Sequence, residues 1–247
     1  MIKGLYNSGT GMQPRMTRLE VVANNIANAA TLGYKKDNLF IQVMRDAGLS
    51  QANGTGDMKG LDTKQFTDFS EGSYQKTQNP LDFAIRGQGF FVVETPQGIR
   101  YTRNGSFTLS PEGTVVTADG YPVLSTSGHI QVPRPDKTST STITVNNRGE
   151  VTIGKTAAGQ LRIADFADMS SLKKAGQTFF KSDTPEKPAT LDGHTSEVLQ
   201  GTVEESNVEA LGEMIQLVEL TRSFETDQKT IKAQDTTLER AMDVGRV

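Results

Sequence analysis

Few residues of this chain are equipped for chemistry. Its 247 residues include two histidines, His129 and His194, each in a polar stretch with no second histidine at metal-ligand spacing. Cysteine is absent, which removes disulfides, thiolate metal sites and a cysteine nucleophile. No Gly-x-Ser-x-Gly elbow, Walker-type phosphate loop or dinucleotide fingerprint occurs. Gly87-Gln88-Gly89 has the composition of a phosphate cradle, but strand-like segments flank it on both sides. With no helix N-terminus behind it to hold an anion, it reads as a turn. Carboxylates are scattered, and no pair is singled out. The chain is expected not to be an enzyme and to need no cofactor and no metal.

Composition excludes further classes. A net charge of -3 offers no basic face for nucleic acid. The hydrophobic fraction of 35% and mean hydropathy of -0.44 lie below those of an ordinary globular enzyme. The longest strongly apolar run, Phe90-Phe91-Val92-Val93, is far too short to span a membrane, so no direct membrane insertion is expected. The first residues, Met1-Ile2-Lys3-Gly4-Leu5, show no basic segment leading into an apolar one. No cleavable secretory signal is expected, and export, if it occurs, would use another route.

The elements around these residues are of two kinds. Near the N-terminus Leu5, Gly9, Met12, Met16, Leu19, Ala23, Ile26 and Ala30 alternate at four-three spacing. Near the C-terminus Met214, Leu217, Thr221, Phe224, Gln228, Ile231, Asp235, Leu238 and Met242 do the same. That alternation is the seam of a coiled coil. Asn25 and Asn28 lie three apart beside the first seam, and each taken alone serves equally well as a solvated position. Pro14 predicts a kink, or a helix that begins near Gln13. Gly33 predicts the helix stop. The second helix is expected to start near Asn207, capped by Ser206 or Asn207, with Glu209 in its first turn. Its first half is broadly apolar through Val208, Leu211, Met214, Ile215, Leu217, Val218 and Leu220, and its second half narrows to one stripe that includes Phe224, Ile231 and Leu238.

Between the helices, turn signals recur at Gly87-Gln88-Gly89, Pro96-Gln97-Gly98, Asn104-Gly105, Pro111-Glu112-Gly113 and Asp119-Gly120. The segments between them are rich in β-branched and aromatic residues, which predicts an antiparallel meander with primed turns at Asn-Gly and Asp-Gly. Residues 45–65 and 181–197 read as connectors and 133–142 as a loop. The expected class is α+β. Residues 1–40 and 200–247 pair as a coiled-coil-like helical domain, 41–70 connect, and 71–199 form a β-rich domain.

Three ordered blocks carry a resemblance. The first is Gly11-Met12 through Arg18-Leu19-Glu20-Val21-Val22-Ala23-Asn24-Asn25-Ile26-Ala27-Asn28, closing with Thr31-Leu32-Gly33-Tyr34-Lys35. The second runs from Gln78-Asn79-Pro80 to Gly89-Phe90-Phe91 and on to Tyr101-Thr102-Arg103-Asn104-Gly105. The third holds Ser206-Asn207-Val208, Glu213-Met214-Ile215 and Arg222-Ser223-Phe224-Glu225. Together these resemble the flagellar basal-body rod and hook family, and within it look most like a proximal rod subunit, with the distal subunit second. The resemblance implies paired terminal helices as an inner tube domain and a β domain decorating a rod that crosses the periplasm. It implies partners among the chain itself, other rod subunits, the enclosing rings and the flagellar type III export apparatus. On this reading the interface residues are Leu5, Met12, Met16, Leu19, Ala23, Asn25, Ile26, Asn28, Val208, Leu211, Met214, Ile215, Leu217, Val218, Phe224, Ile231 and Leu238. The competing reading is a soluble β module closed by its own helix pair.

Overall fold

A computed structural model describes residues 2–45, 58–132, 143–154, 156–189 and 196–244. The chain divides into two compact units: residues 1–27, 37–68 and 209–247 form one, and 28–36 with 69–208 form the other.

The first unit contains helix α1 (Ile2–Ala27), a hairpin of strands β1 (Asp37–Arg45) and β2 (Met58–Thr67), and helix α2 (Ala210–Val244). Helix α1 does not begin near Gln13. It runs on through Pro14, whose ring is buried. Proline removes one backbone donor, and packing of the helix outweighs that loss. Its last helical residue is Ala27, and turns fill the interval to Gly33. Strands β1 and β2 pair antiparallel with one register shift near Arg45. Much of the segment read as a connector is therefore ladder; residues 46–57 lie outside the described residues.

Helix α2 starts at Ala210, three residues later than expected. The Glu209 carbonyl accepts the first helical hydrogen bond, from Glu213 N–H at 3.0 Å. Neither Ser206 nor Asn207 caps it. Ser206 Oγ accepts from Val208 N–H in a local turn, and Asn207 has other partners, described below.

The second unit is built around a six-stranded antiparallel sheet. Its order is Leu172–Lys174, Phe179–Ser182, Gly98–Thr102, Phe90–Thr95, Ile163–Asp165 and Lys187–Pro188. The strand Phe90–Thr95 is central and covered on both faces, which is why it reads as a continuous apolar run. Phe91 and Val93 enter one core with Phe83, Phe107, Val123 and Ile163. Phe90 and Val92 enter a second core with Tyr101, Phe166, Leu172 and Phe180, where aromatic rings meet edge to face.

The meander is only partly realised. Phe90–Thr95 and Gly98–Thr102 form the expected hairpin, but the chain then leaves the sheet, and Phe107–Leu109 pairs instead with Val115–Thr117. Asn104-Gly105 is a corner between ladders rather than a primed turn. The Asn104 side chain accepts from Ser106 N–H at 3.1 Å, and Gly105 has no positive φ. Glycine is needed there for closeness: a Cβ at Gly105 would stand 1.7 Å from the Phe83 carbonyl oxygen. Of the second expected connector, Lys187–Pro188 is an edge strand and Ser196–Gln200 pairs with Phe83–Gly87. Residues 133–142 and 190–195 lie outside the described residues.

Candidate assembly interface

In the helical unit one asparagine ties three elements together. Asn25 is 1% exposed. Its Nδ2 donates to the Asp37 carbonyl at 2.9 Å and to Glu213 Oε2 at 3.2 Å, and its Oδ1 accepts from Asp37 N–H at 3.0 Å. Asp37 Oδ1 in turn accepts from Thr67 Oγ1 at 2.8 Å. Asn25 thus joins α1, β1 and α2, and the Asp37 side chain extends the network to β2. Further along, Arg15 Nη1 donates to Ser223 Oγ at 3.0 Å and forms an ion pair with Asp227.

These polar contacts set which faces of the helices turn inward. On α2 the half-buried line is Leu217, Leu220, Phe224, Asp227, Ile231 and Gln234, again at three-four spacing. It shares Leu217, Phe224 and Ile231 with the line expected from sequence but replaces the other seam position. On α1 the buried positions are Pro14, Val21, Val22 and Asn25, while Met12, Leu19 and Ile26 are half-buried, and Met16 and Ala23 are exposed. Four large apolar residues of the first half of α2 face out: Leu211, Met214, Ile215 and Val218 are between 49% and 68% exposed. Spaced three, one and three apart, they form one stripe along the helix. The side chains of Leu5 and Leu238 lie outside the described residues.

In the β unit Asn28 and Val208 are buried. Asn28 caps a turn through Thr31 Oγ1 at 3.2 Å. Sequence reasoning missed the cluster beside them. Lys35 Nζ donates to Glu204 Oε1 and to the Ser70 carbonyl, both at 2.6 Å. Arg103 Nη1 lies 3.3 Å from Glu204 Oε2 and also donates to the Ile85 carbonyl at 3.0 Å, while its Nη2 donates to that of Gly87 at 2.7 Å. The guanidinium stacks 5.2 Å from the centre of the Phe90 ring. Burial holds the Lys35 ammonium below the ordinary lysine range, against the pull of the Glu204 carboxylate. Around this node, Gly33 N–H donates to the Glu204 carbonyl at 2.8 Å, and Asn207 accepts from Lys36 N–H at 2.7 Å. Gly33 has φ +66, and a Cβ on it would lie 2.3 Å from Asn104 N. The signal available in sequence was positional: Gly33-Tyr34-Lys35, Arg103-Asn104-Gly105 and the stretch preceding Ser206-Asn207 are conspicuous in three separate blocks and meet here.

Chemistry of other kinds has little to work with. His129 Nε2 is 2.7 Å from Glu94 Oε2 on an exposed surface, and His194 lies outside the described residues. Among the described residues no three His, Asp or Glu side chains gather to hold a metal ion. A cleft of about 490 Å³ on the β unit is lined by Thr126, Gln160, Arg162, Glu186 and Lys187 among others, and Glu186 is ion-paired with Arg162. No helix among the described residues is long and apolar enough to cross a membrane.

The family comparisons coincide with these features. Residues 5–35, covering most of α1, match the flagella basal body rod protein family. Residues 84–153 match the D1 domain of flagellar hook protein FlgE/F/G, and residues 199–244, covering α2, match the C-terminal region of flagellar basal body rod FlgEFG proteins. A FlgG basal-body rod protein of Bacillus subtilis is 33% identical, with all of both chains covered. The chain belongs to the flagellar basal-body rod protein family. A FlgG protein of Agrobacterium fabrum is 36% identical over 95% of this chain and 96% of its own, and a FlgF protein of Caulobacter vibrioides is 34% identical over 89% of each. This rod-family chain is a structural, non-enzymatic subunit of the flagellar basal body, assembling with other rod subunits.

Proposed function

We propose that this subunit polymerises through α1 and α2 into the axial shaft that carries rotation across the periplasm. The observation that carries this reading is the uncovered stripe Leu211, Met214, Ile215 and Val218. It stays exposed although α1 and α2 of the same chain are in contact, so a closed helix pair leaves it without a role. Exposed apolar area of this kind belongs to an interface. Leu5, Met12, Met16, Leu19, Ala23, Asn25, Ile26, Asn28, Val208, Leu217, Phe224, Ile231 and Leu238 serve the same assembly, either within the subunit or between subunits. The enclosing rings and the flagellar type III export apparatus complete the set of partners.

The test is replacement of Met214 and Val218 together by Asp in a cell whose own copy is deleted. Burying a neutral polar group without a partner costs roughly 2–7 kcal/mol, and burying an unpaired carboxylate costs more. The variant should be absent from purified basal bodies and the cells should not swim, while the melting temperature of the purified protein is unchanged. Normal incorporation would sink the reading.

A further inference from the structure

A second uncovered apolar surface lies on the same unit. Phe40 on β1 and Phe66 on β2 are 57% and 53% exposed. The register pairs Phe40 with Lys64 and Asn38 with Phe66. Successive residues of a strand alternate between faces, so all four side chains share one face and the two rings are diagonal neighbours. Phenylalanine on a solvated hairpin face gains nothing from its own chain there.

We infer that this aromatic face docks on the α2 stripe of a second copy of the chain. The two surfaces are of comparable scale. Diagonal cross-strand neighbours stand about 7–8 Å apart. The stripe offers depressions between Leu211, Met214, Ile215 and Val218, whose neighbouring side chains are spaced by about 5–6 Å. The charges match as well. Lys64 borders Phe40, whereas Glu219, exposed and one turn from Ile215, borders the stripe. The two surfaces differ from each other, so their contact is heterologous. A heterologous contact repeats from copy to copy and closes only if its rotation happens to close; otherwise it extends as a helical filament. A rod subunit needs such a contact. The inference rests on the assembly reading above and names the occupant of its uncovered stripe.

The native chain has no cysteine, which makes crosslinking clean. Two differently tagged full-length copies are expressed together, one Phe40→Cys and the other Val218→Cys, and basal bodies are isolated and oxidised. Phe66→Cys with Ile215→Cys is the second pair, and Phe40→Cys with Gln97→Cys, on a β-unit turn, is the control. A disulfide needs Cα atoms within about 7 Å, so only true neighbours join. The expected result is a dimer carrying both tags for at least one test pair and none for the control. In addition Lys64→Glu should lower the amount of subunit in basal bodies, and Glu219→Lys should restore it. Basal bodies that contain both copies without a mixed dimer would overturn the inference. So would mixed dimers no stronger than the control, crosslinks joining only two copies of Phe40→Cys, or crosslinks only to a different protein. Absence of the unsubstituted chain from basal bodies would instead remove the assembly reading itself, and the inference with it.

Discussion

Lys35 Nζ stands 2.6 Å from Glu204 Oε1 with both side chains fully enclosed, and Arg103 Nη1 lies 3.3 Å from the other carboxylate oxygen. One buried anion therefore holds two buried cations that come from distant parts of the chain. Such a cluster adds little net stability over an apolar replacement, yet removing its anion leaves two unmatched charges in the interior.

Glu204→Gln is expected to destabilise the β unit by about 3–5 kcal/mol, since breaking a buried pair has that magnitude. Urea denaturation followed by tyrosine fluorescence would measure it. Replacing Lys35, Arg103 and Glu204 together by apolar residues of similar volume should recover most of the loss, and failure to recover would show that the hydrogen bonds to Ser70, Ile85 and Gly87 matter more than the charges.

Alkaline behaviour should centre on Tyr74. Burial, aided by its hydrogen bond to Glu71, raises the phenol above its usual value of about 10. The folded form therefore keeps its proton at pH values where the unfolded chain has lost it. The stabilisation is complete below pH about 10 and is lost as pH rises from there towards the folded value. Stability measured between pH 9 and 11.5, roughly the span over which the unfolded tyrosine ionises, should fall more steeply for the native chain than for Tyr74→Phe. Equal slopes would contradict this.

Gly105→Ala should cost about 1–3 kcal/mol, as overpacking does, because the new Cβ meets backbone at 1.7 Å and not a flexible side chain. At Gly120, where φ is +84 but nothing lies within 4 Å, alanine should cost only the conformational penalty of about 1–2 kcal/mol. Melting temperatures of the two variants rank the effects. A larger loss at Gly120 would reverse the argument.

Asn25→Leu removes a donor that serves Asp37 and Glu213 and an acceptor for Asp37 N–H. Unsatisfied buried groups cost about 1–3 kcal/mol. Protease cleavage within residues 1–27 of the purified chain should accelerate, while the β unit remains resistant. Unchanged cleavage would mean that α1 is held by apolar packing alone.

What could be read from the chain divides by sequence distance. The apolar run Phe90–Val93, the hairpin turn at Pro96-Gln97 and the two long helices announce themselves within a window of residues, because composition and period decide them locally. Strand β2 did not, since Gly60, Asp62 and Thr63 have the composition of a loop and become a strand only through pairing with Asp37–Arg45. The N-terminus of α2 was misplaced for a related reason. Asn207 is a good cap in isolation, but Lys36 and Ser70 compete for its amide and prevail. The Lys35–Arg103–Glu204 cluster has no local signature, and three charges scattered along a sequence look like solvated surface until the fold encloses them.

The Gly33 N–H to Glu204 carbonyl hydrogen bond places an early crossing of the chain directly beside its last one. Mechanically this is a shunt. Tension passed along the backbone from α1 towards α2 crosses at that point, so the strands between Phe69 and Thr202 lie in parallel with the load and not in series with it. Such a module can grow, shrink or be exchanged without lengthening the load-bearing line, much as a pannier hung from a frame leaves the frame's stiffness unchanged.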